Sequence, residues 1–136
     1  MATNALLLTW LASLRHLGGV WHIDDLEREI TMAEAFRVML RFEIKPGMTA
    51  GFEQTWLEVG KVITDHPANL GQWLMRSADE ENVYHVMSDW IDEPRFRAFE
   101  RSDQHIEHRQ KLHPFRSGGS MTTVNVVYAL QGCAAR

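Results

Sequence analysis

The chain is short of the residues that mark several common kinds of protein. It has one cysteine, Cys133, among 136 residues. Neither an internal disulfide nor a cysteine-rich zinc site is therefore available. We read Cys133 as a tail residue without a role, and the thiol count suits a reducing cytoplasm, the compartment we expect. Positive charge is not in excess: Lys and Arg number 14 against 18 Asp and Glu, for a net charge of −4, and the two signs are interleaved. That pattern lacks the basic stripe of a nucleic-acid binder. The apolar run from Ala5 to Leu14 is too short to span a bilayer. It has no basic stretch before it and no small-residue cleavage signal after it, so neither secretion nor a membrane span is expected. Missing too are a Gly-rich phosphate loop, so nucleotide cofactors lack a cradle, and a Gly-x-Ser-x-Gly elbow. His105, His108 and His113 invite a metal reading. No acidic or cysteine ligand joins them at an offset that closes a shell, so no metal is expected.

What is present is an ordinary globular composition, 45% hydrophobic, enough for one domain with a core. Residues 1–31 differ from the rest. Leu6, Trp10, Leu14 and Leu17 recur at helical spacing until Gly18-Gly19 interrupts them, and Ile23, Leu26 and Ile30 suggest a second short helical piece. We read this as a helical N-terminal extension, an accessory arm ahead of a domain over 32–131 and a tail over 132–136. In the domain, Phe36, Val38, Leu40, Phe42 and Ile44 alternate with Arg37, Met39, Arg41 and Glu43, a period of two that predicts a strand. After the turn Lys45-Pro46-Gly47, Phe52, Trp56, Val59 and Ile63 repeat at helical spacing as far as His66-Pro67. Leu70 to Ser77 and Val83 to Trp90 read as strands about a polar turn. Asp92 caps a single helix that carries Phe96, Phe99 and Ile106 on its core face and runs to Leu112. Ser117-Gly-Gly-Ser120 reads as a flexible loop, and Met121 to Leu130 as a valine- and threonine-rich fourth strand.

Strand, helix, strand, strand, helix, strand is the split βαβ order of the ferredoxin-like α+β fold. Right-handed crossovers put the helices on one face of an antiparallel sheet. The other face keeps large apolar side chains and asks for a cover, and a homodimer packed sheet to sheet is the economical one.

The chemistry concentrates from Val83 to Leu112. Trp90 ends a strand on the same face as Tyr84, Val86 and Ser88. It is either a core tryptophan whose N–H meets a backbone carbonyl or a donor aimed at a substrate oxygen. Ser102, His105, Arg109 and Leu112 form a stripe beside the aromatic one. His105 titrates near neutrality and can exchange a proton. Arg109 can hold an enolate or phenolate oxygen, although pairing with Glu100 or Asp103 is the preferred reading. His85 points away from Trp90, toward the expected dimer interface, and His108 and His113 read as structural or exposed groups near a helix end. His66, Asn69 and Gln72 fall where a pocket mouth is expected, although helix-end capping explains them almost as well.

The run Ser88-Asp-Trp90, the following Asp-Glu-Pro-Arg-Phe96-Arg-Ala-Phe99, Ser102-Asp-Gln-His105 and His113-Pro-Phe115-Arg116-Ser-Gly-Gly resemble the antibiotic biosynthesis monooxygenase superfamily of dimeric ferredoxin-like barrels. The likeness extends from about Phe36 to Leu130 and is strongest to members associated with type II polyketide pathways. The resemblance implies oxidation of an aromatic polyketide, anthrone or phenol to quinone, by dioxygen without flavin, haem or metal. Trp90 matches the family's strand-end tryptophan. Phe96 stands where an antibiotic-pathway member has tyrosine, and Val86 where that member has an asparagine partner for the tryptophan. The haem-degrading branch has a first-strand asparagine with no counterpart here. These likenesses lead us to expect His105 and Trp90 as catalytic residues, no cofactor, and a slot lined by Tyr84, Ser88, Phe96, Phe99, Trp56, Arg109, His66 and Gln72. A polyketide cyclase on the same fold, guided by His105 and Arg109, and a non-catalytic accessory protein of a synthase are the rival expectations.

Overall fold

The structure, a computed structural model, describes residues 34–135. The arm expected over 1–31 lies outside them. Strands β1 (Phe36–Ile44), β2 (Asn69–Arg76), β3 (Val83–Trp90) and β4 (Arg116–Asn125) alternate with helices α1 (Thr49–Thr64), α2 (Glu93–Glu100) and α3 (Asp103–Leu112). The strands form one sheet in the order β2-β3-β1-β4, every neighbouring pair antiparallel. This is the ferredoxin-like arrangement that the element order predicts.

Alternation in the strands settles which side chains meet the helices. Phe36, Val38, Phe42 and Ile44 of β1, with Tyr84, Val86, Ser88 and Trp90 of β3, are buried. They pack in two clusters. One joins Phe36, Val38, Ala68 and Trp90 to Phe96 and Phe99 of α2. The other joins Phe42, Ile44, Tyr84 and Val86 to Phe52 of α1, with Trp56, Leu74, Leu112 and Phe115 at its margin. Leu40 touches both.

The opposite face is uncovered among the described residues. Cross-strand register sets Trp73, Met87, Met39 and Thr122 in one row across the sheet, with Met75, His85, Arg41 and Ser120 beside it. Trp73, Met39 and Met75 are each at least 40% exposed. On this face Arg37 Nε and Nη2 grip Asp89 Oδ1 and Oδ2 at 2.7 and 2.8 Å, and Asp89 is fully buried. Such a two-pronged guanidinium–carboxylate pair fixes orientation as well as charge.

Two expectations need correction. The helix after Asp92 is two helices, not one. Asp92 caps α2 by accepting from the Arg95 N–H at 2.9 Å. The chain then leaves helical geometry at Ser102, whose hydroxyl accepts from the His105 N–H at 3.2 Å and donates to the Phe99 carbonyl at 2.6 Å. A serine at such a break satisfies orphan donors of the new helix. The break rotates α3, and Ile106, expected in the core, is 46% exposed. The second correction concerns β4, which begins at Arg116, so the glycine run expected as a loop is strand. Gly118 and Gly119 pair with Glu43 and Phe42. A Cβ on Gly119 would lie 2.5 Å from the Arg41 carbonyl oxygen, so this close approach demands glycine. The expected strand residues Val127, Tyr128 and Leu130 lie beyond β4, largely exposed.

Candidate functional site

The expected slot residues divide between the two clusters. Trp90 is the centre of the first and is 1% exposed. Rings surround it: Phe99 at 4.8 Å between centroids, His66 at 5.4 Å and Phe96 at 5.5 Å. His66 and His105 each meet Phe99 edge-on, at 5.4 and 5.0 Å. The result is a continuous stack running from Phe96 through Trp90 and Phe99 to two imidazoles. These are favourable tilted and edge-to-face geometries.

Beneath the stack is a short polar chain. Trp90 Nε1 donates to Ser88 Oγ at 2.9 Å, and Asn69 Nδ2 donates to the same oxygen at 3.2 Å. The indole N–H is thus satisfied by a side chain of its own strand rather than by the backbone carbonyl considered above. Asn69 stands opposite Trp90 in the β2–β3 register. Its Oδ1 is buried and has no partner. A buried polar atom left unmatched is uncommon and marks a place where a group can be received. The position four residues before Trp90 is Val86, yet an asparagine reaches the tryptophan's partner from the neighbouring strand. The sequence carries Asn69 in plain view, but only strand register brings it to Trp90.

The two histidines differ. His66 Nδ1 accepts from the Ala68 N–H at 3.1 Å. The neutral ring therefore carries its proton on Nε2 and can donate from there. His105 is half-buried, and its Nδ1 is shielded and unpartnered. Desolvation, then the nearby Arg109 guanidinium, hold its pKa below the ordinary imidazole value, so it is neutral at pH 7 and able to accept a proton. Ser102 fixes its place by capping α3. Arg109 itself is exposed. His108, expected to be structural or exposed, is buried, with an unpartnered Nδ1 and a pKa lowered by desolvation and by Lys111.

Tyr84, Trp56 and Gln72 are elsewhere. Tyr84 is six residues from Trp90 on an extended strand, about 20 Å along it, and belongs to the second cluster with Trp56 beside it. Its hydroxyl donates to Glu53 Oε1 at 2.6 Å and accepts from Arg76 Nε at 3.4 Å, while Arg76 Nη2 also pairs with Glu53. Gln72 Nε2 donates to the Gly60 carbonyl at 3.1 Å and ties β2 to α1. Glu53 and Arg76 were not singled out from the sequence. Each looks like one more charge on a solvated face until the fold joins helix to strand. Among the described residues no group of three or more His, Cys, Asp or Glu side chains is placed to hold a metal ion, and no helix is long and apolar enough to cross a membrane.

Known proteins agree with this architecture. A protein of Natronomonas pharaonis, provisionally named as heme-binding, is 36% identical over 88 residues. Those residues are 60% of this chain but 15% of that protein, so the chain spans only a small part of it. Among solved structures, SnoaB, a cofactor-independent oxygenase from Streptomyces nogalater, superposes with a TM-score of 0.62 at 21% identity, over 74% of this chain and 98% of its own. A conserved protein from Methanosarcina mazei Go1 does so with a TM-score of 0.65 at 14% identity, over 71% and 96%. At these identities the structural likenesses speak to the fold alone. Residues 35–111, more than half of the sequence and the segment that supplies three of the four strands, the Trp90 stack and nearly all of α3, match the antibiotic biosynthesis monooxygenase family, and the chain belongs to that family.

Proposed function

We propose that this protein is a cofactor-independent monooxygenase that oxidises an aromatic polyketide of the anthrone or phenol type to a quinone with dioxygen, in antibiotic or pigment biosynthesis. The observation that carries this reading is His105: a neutral imidazole with an unmatched ring nitrogen, held on the Phe99 edge of the Trp90 stack. A neutral imidazole, its pKa held down by desolvation and by Arg109, set against an aromatic wall suits acceptance of a proton from an activated ring carbon. The carbanion then gives an electron to dioxygen, the radicals combine to a hydroperoxide, and loss of water leaves the ketone. One dioxygen is consumed, with one oxygen atom entering the product and one leaving as water. Trp90, Phe96, Phe99 and His66 form the aromatic wall in this reading, Ser88 lies beneath it as the acceptor of the Trp90 indole N–H, and Arg109 steadies the developing oxyanion. Because Trp90 is enclosed by Phe96 and Phe99 of α2 and by His66, ring binding requires α2 to move off the sheet. Homodimerisation through the uncovered Trp73–Met87–Met39 row belongs to the same proposal, as do a small-molecule partner and a cytoplasmic setting.

Haem is the group that the Natronomonas pharaonis protein's name raises. The residues present fit it less well than a fused-ring phenol, because a macrocycle needs a far wider opening of the same cluster. The space between sheet and helices beside His66 and His105 is filled by Trp90, Phe96 and Phe99, and this chain matches only a small part of that protein.

Product mass spectrometry with an anthrone under ¹⁸O₂ tests the reading. One labelled oxygen should enter the quinone, and His105→Ala should lower turnover at least about a hundredfold. Full product formation under strict anaerobiosis would indicate a cyclase instead, and undiminished turnover by the variant would remove His105 as the base.

A further inference from the structure

Between α1 and the outer strand β2 lies a depression of about 330 Å³, lined by Glu53, Trp56, Leu57, Leu74, Arg76 and Tyr84. That volume falls at the lower end of the roughly 300–1,000 Å³ typical of small-molecule sites, room for two or three fused rings. It is distant from the Trp90 stack, at the Tyr84 end of β3. One wall is apolar, formed by Trp56, Leu57 and Leu74. The floor is polar and already organised. Tyr84 and Arg76 both bind Glu53, and both do so at Oε1. Oε2 of the same carboxylate has no partner among the described residues.

The protonation states follow from these contacts. Hydrogen bonds from Tyr84 and Arg76 hold the Glu53 carboxyl below the usual carboxylate range. Burial, then the Glu53 contact, pushes the Tyr84 phenol up. Around neutral pH the carboxylate is ionised, the phenol protonated, and the Glu53–Arg76 pair neutral as a unit. An adjoining hollow that shares Arg76 and Tyr84 is rimmed by Asp79, Glu80 and Glu81. A carboxylate or phosphate would be repelled there, whereas an uncharged donor is welcome. We infer that the groove between α1 and β2 is a second ligand site, which takes a neutral planar phenol, its hydroxyl donating to Glu53 Oε2 and its rings lying against Trp56 and Leu74. This site is independent of the oxygenase reading and shares no residue with the Trp90 stack.

Titration calorimetry of the full chain with 2-naphthol and with its methyl ether, 2-methoxynaphthalene, tests it. The naphthol should bind saturably and about tenfold more tightly than the ether, which has no proton to give to the carboxylate. Glu53→Leu should abolish that difference, and Leu57→Glu, at a half-exposed position, should weaken both ligands. The Trp56 indole N–H resonance should move on naphthol binding. His105→Ala should leave the affinity unchanged, which separates failure of this site from failure of the oxygenase reading. Equal binding of the two ligands by the native chain, absence of saturable heat, or loss of binding in His105→Ala with Glu53→Leu unaffected would overturn the inference.

Discussion

Ser88 accepts from two donors, the Trp90 indole and the Asn69 amide. Ser88→Ala leaves both without their acceptor, and stranding buried donors costs about 1–3 kcal/mol. Denaturant unfolding should show that loss, with a shift in tryptophan emission. His105 and His108 set the pH response. Both have folded-state pKa values below those of an unfolded chain, so the unfolded chain takes up more protons near pH 6.5 and stability rises with pH there. Melting temperature should therefore fall as pH drops from about 7.5 through 6.5 toward the lowered folded values. His108→Gln should flatten the slope. Arg109→Gln, which removes a cation that disfavours protonated His105, should move the His105 titration upward in an NMR pH series. At this scale the sequence was informative about identity and blind to partnership. His105 and Trp90 stood out by residue type. Ser88–Asn69 and Glu53–Tyr84–Arg76 depend on register and on helix-to-strand contact, which no local pattern encodes.

Elements were legible where hydrophobic period and turn chemistry agreed. β1, β3 and α1 follow their alternation or helical repeat closely. The errors came where the period continued across a break. Phe96, Phe99 and Ile106 kept a helical rhythm through Ser102, and the competing signal was the capping serine followed by Asp103 in the first turn. In β4 the side-chain pattern vanished at Gly118-Gly119, which resembles a loop, while the reason for those glycines lies on β1. Gly119→Ala should therefore cost about 1–3 kcal/mol, as an added methyl meets the Arg41 backbone, which cannot swing aside as the neighbouring Arg116 side chain can. Comparing its denaturation midpoint with that of Ser120→Ala, an exposed neighbour, isolates the effect.

Among the described residues the sheet has one filled face and one bare face. Covering the row that holds Trp73 and Met39, with Met75 beside it, would remove from water large apolar side chains that this face leaves exposed, and burial of such a surface drives association. Met39→Glu or Trp73→Glu should shift sedimentation toward the monomer, and a native chain already monomeric at micromolar concentration would sink the dimer proposal. The apolar character of this face was readable from strand alternation alone, since both residue sets of β3 contain large apolar groups.

Asp89 and Trp90 are consecutive, and alternation turns them to opposite faces. The Arg37–Asp89 clasp belongs to the bare face and the indole to the filled one. A partner on the outer surface would meet Arg37, whose clasp holds Asp89 one peptide bond from the tryptophan, so occupancy outside would have a reporter inside. A change in Trp90 emission on association, lost in Asp89→Asn, would make the strand a through-sheet signal line rather than a partition.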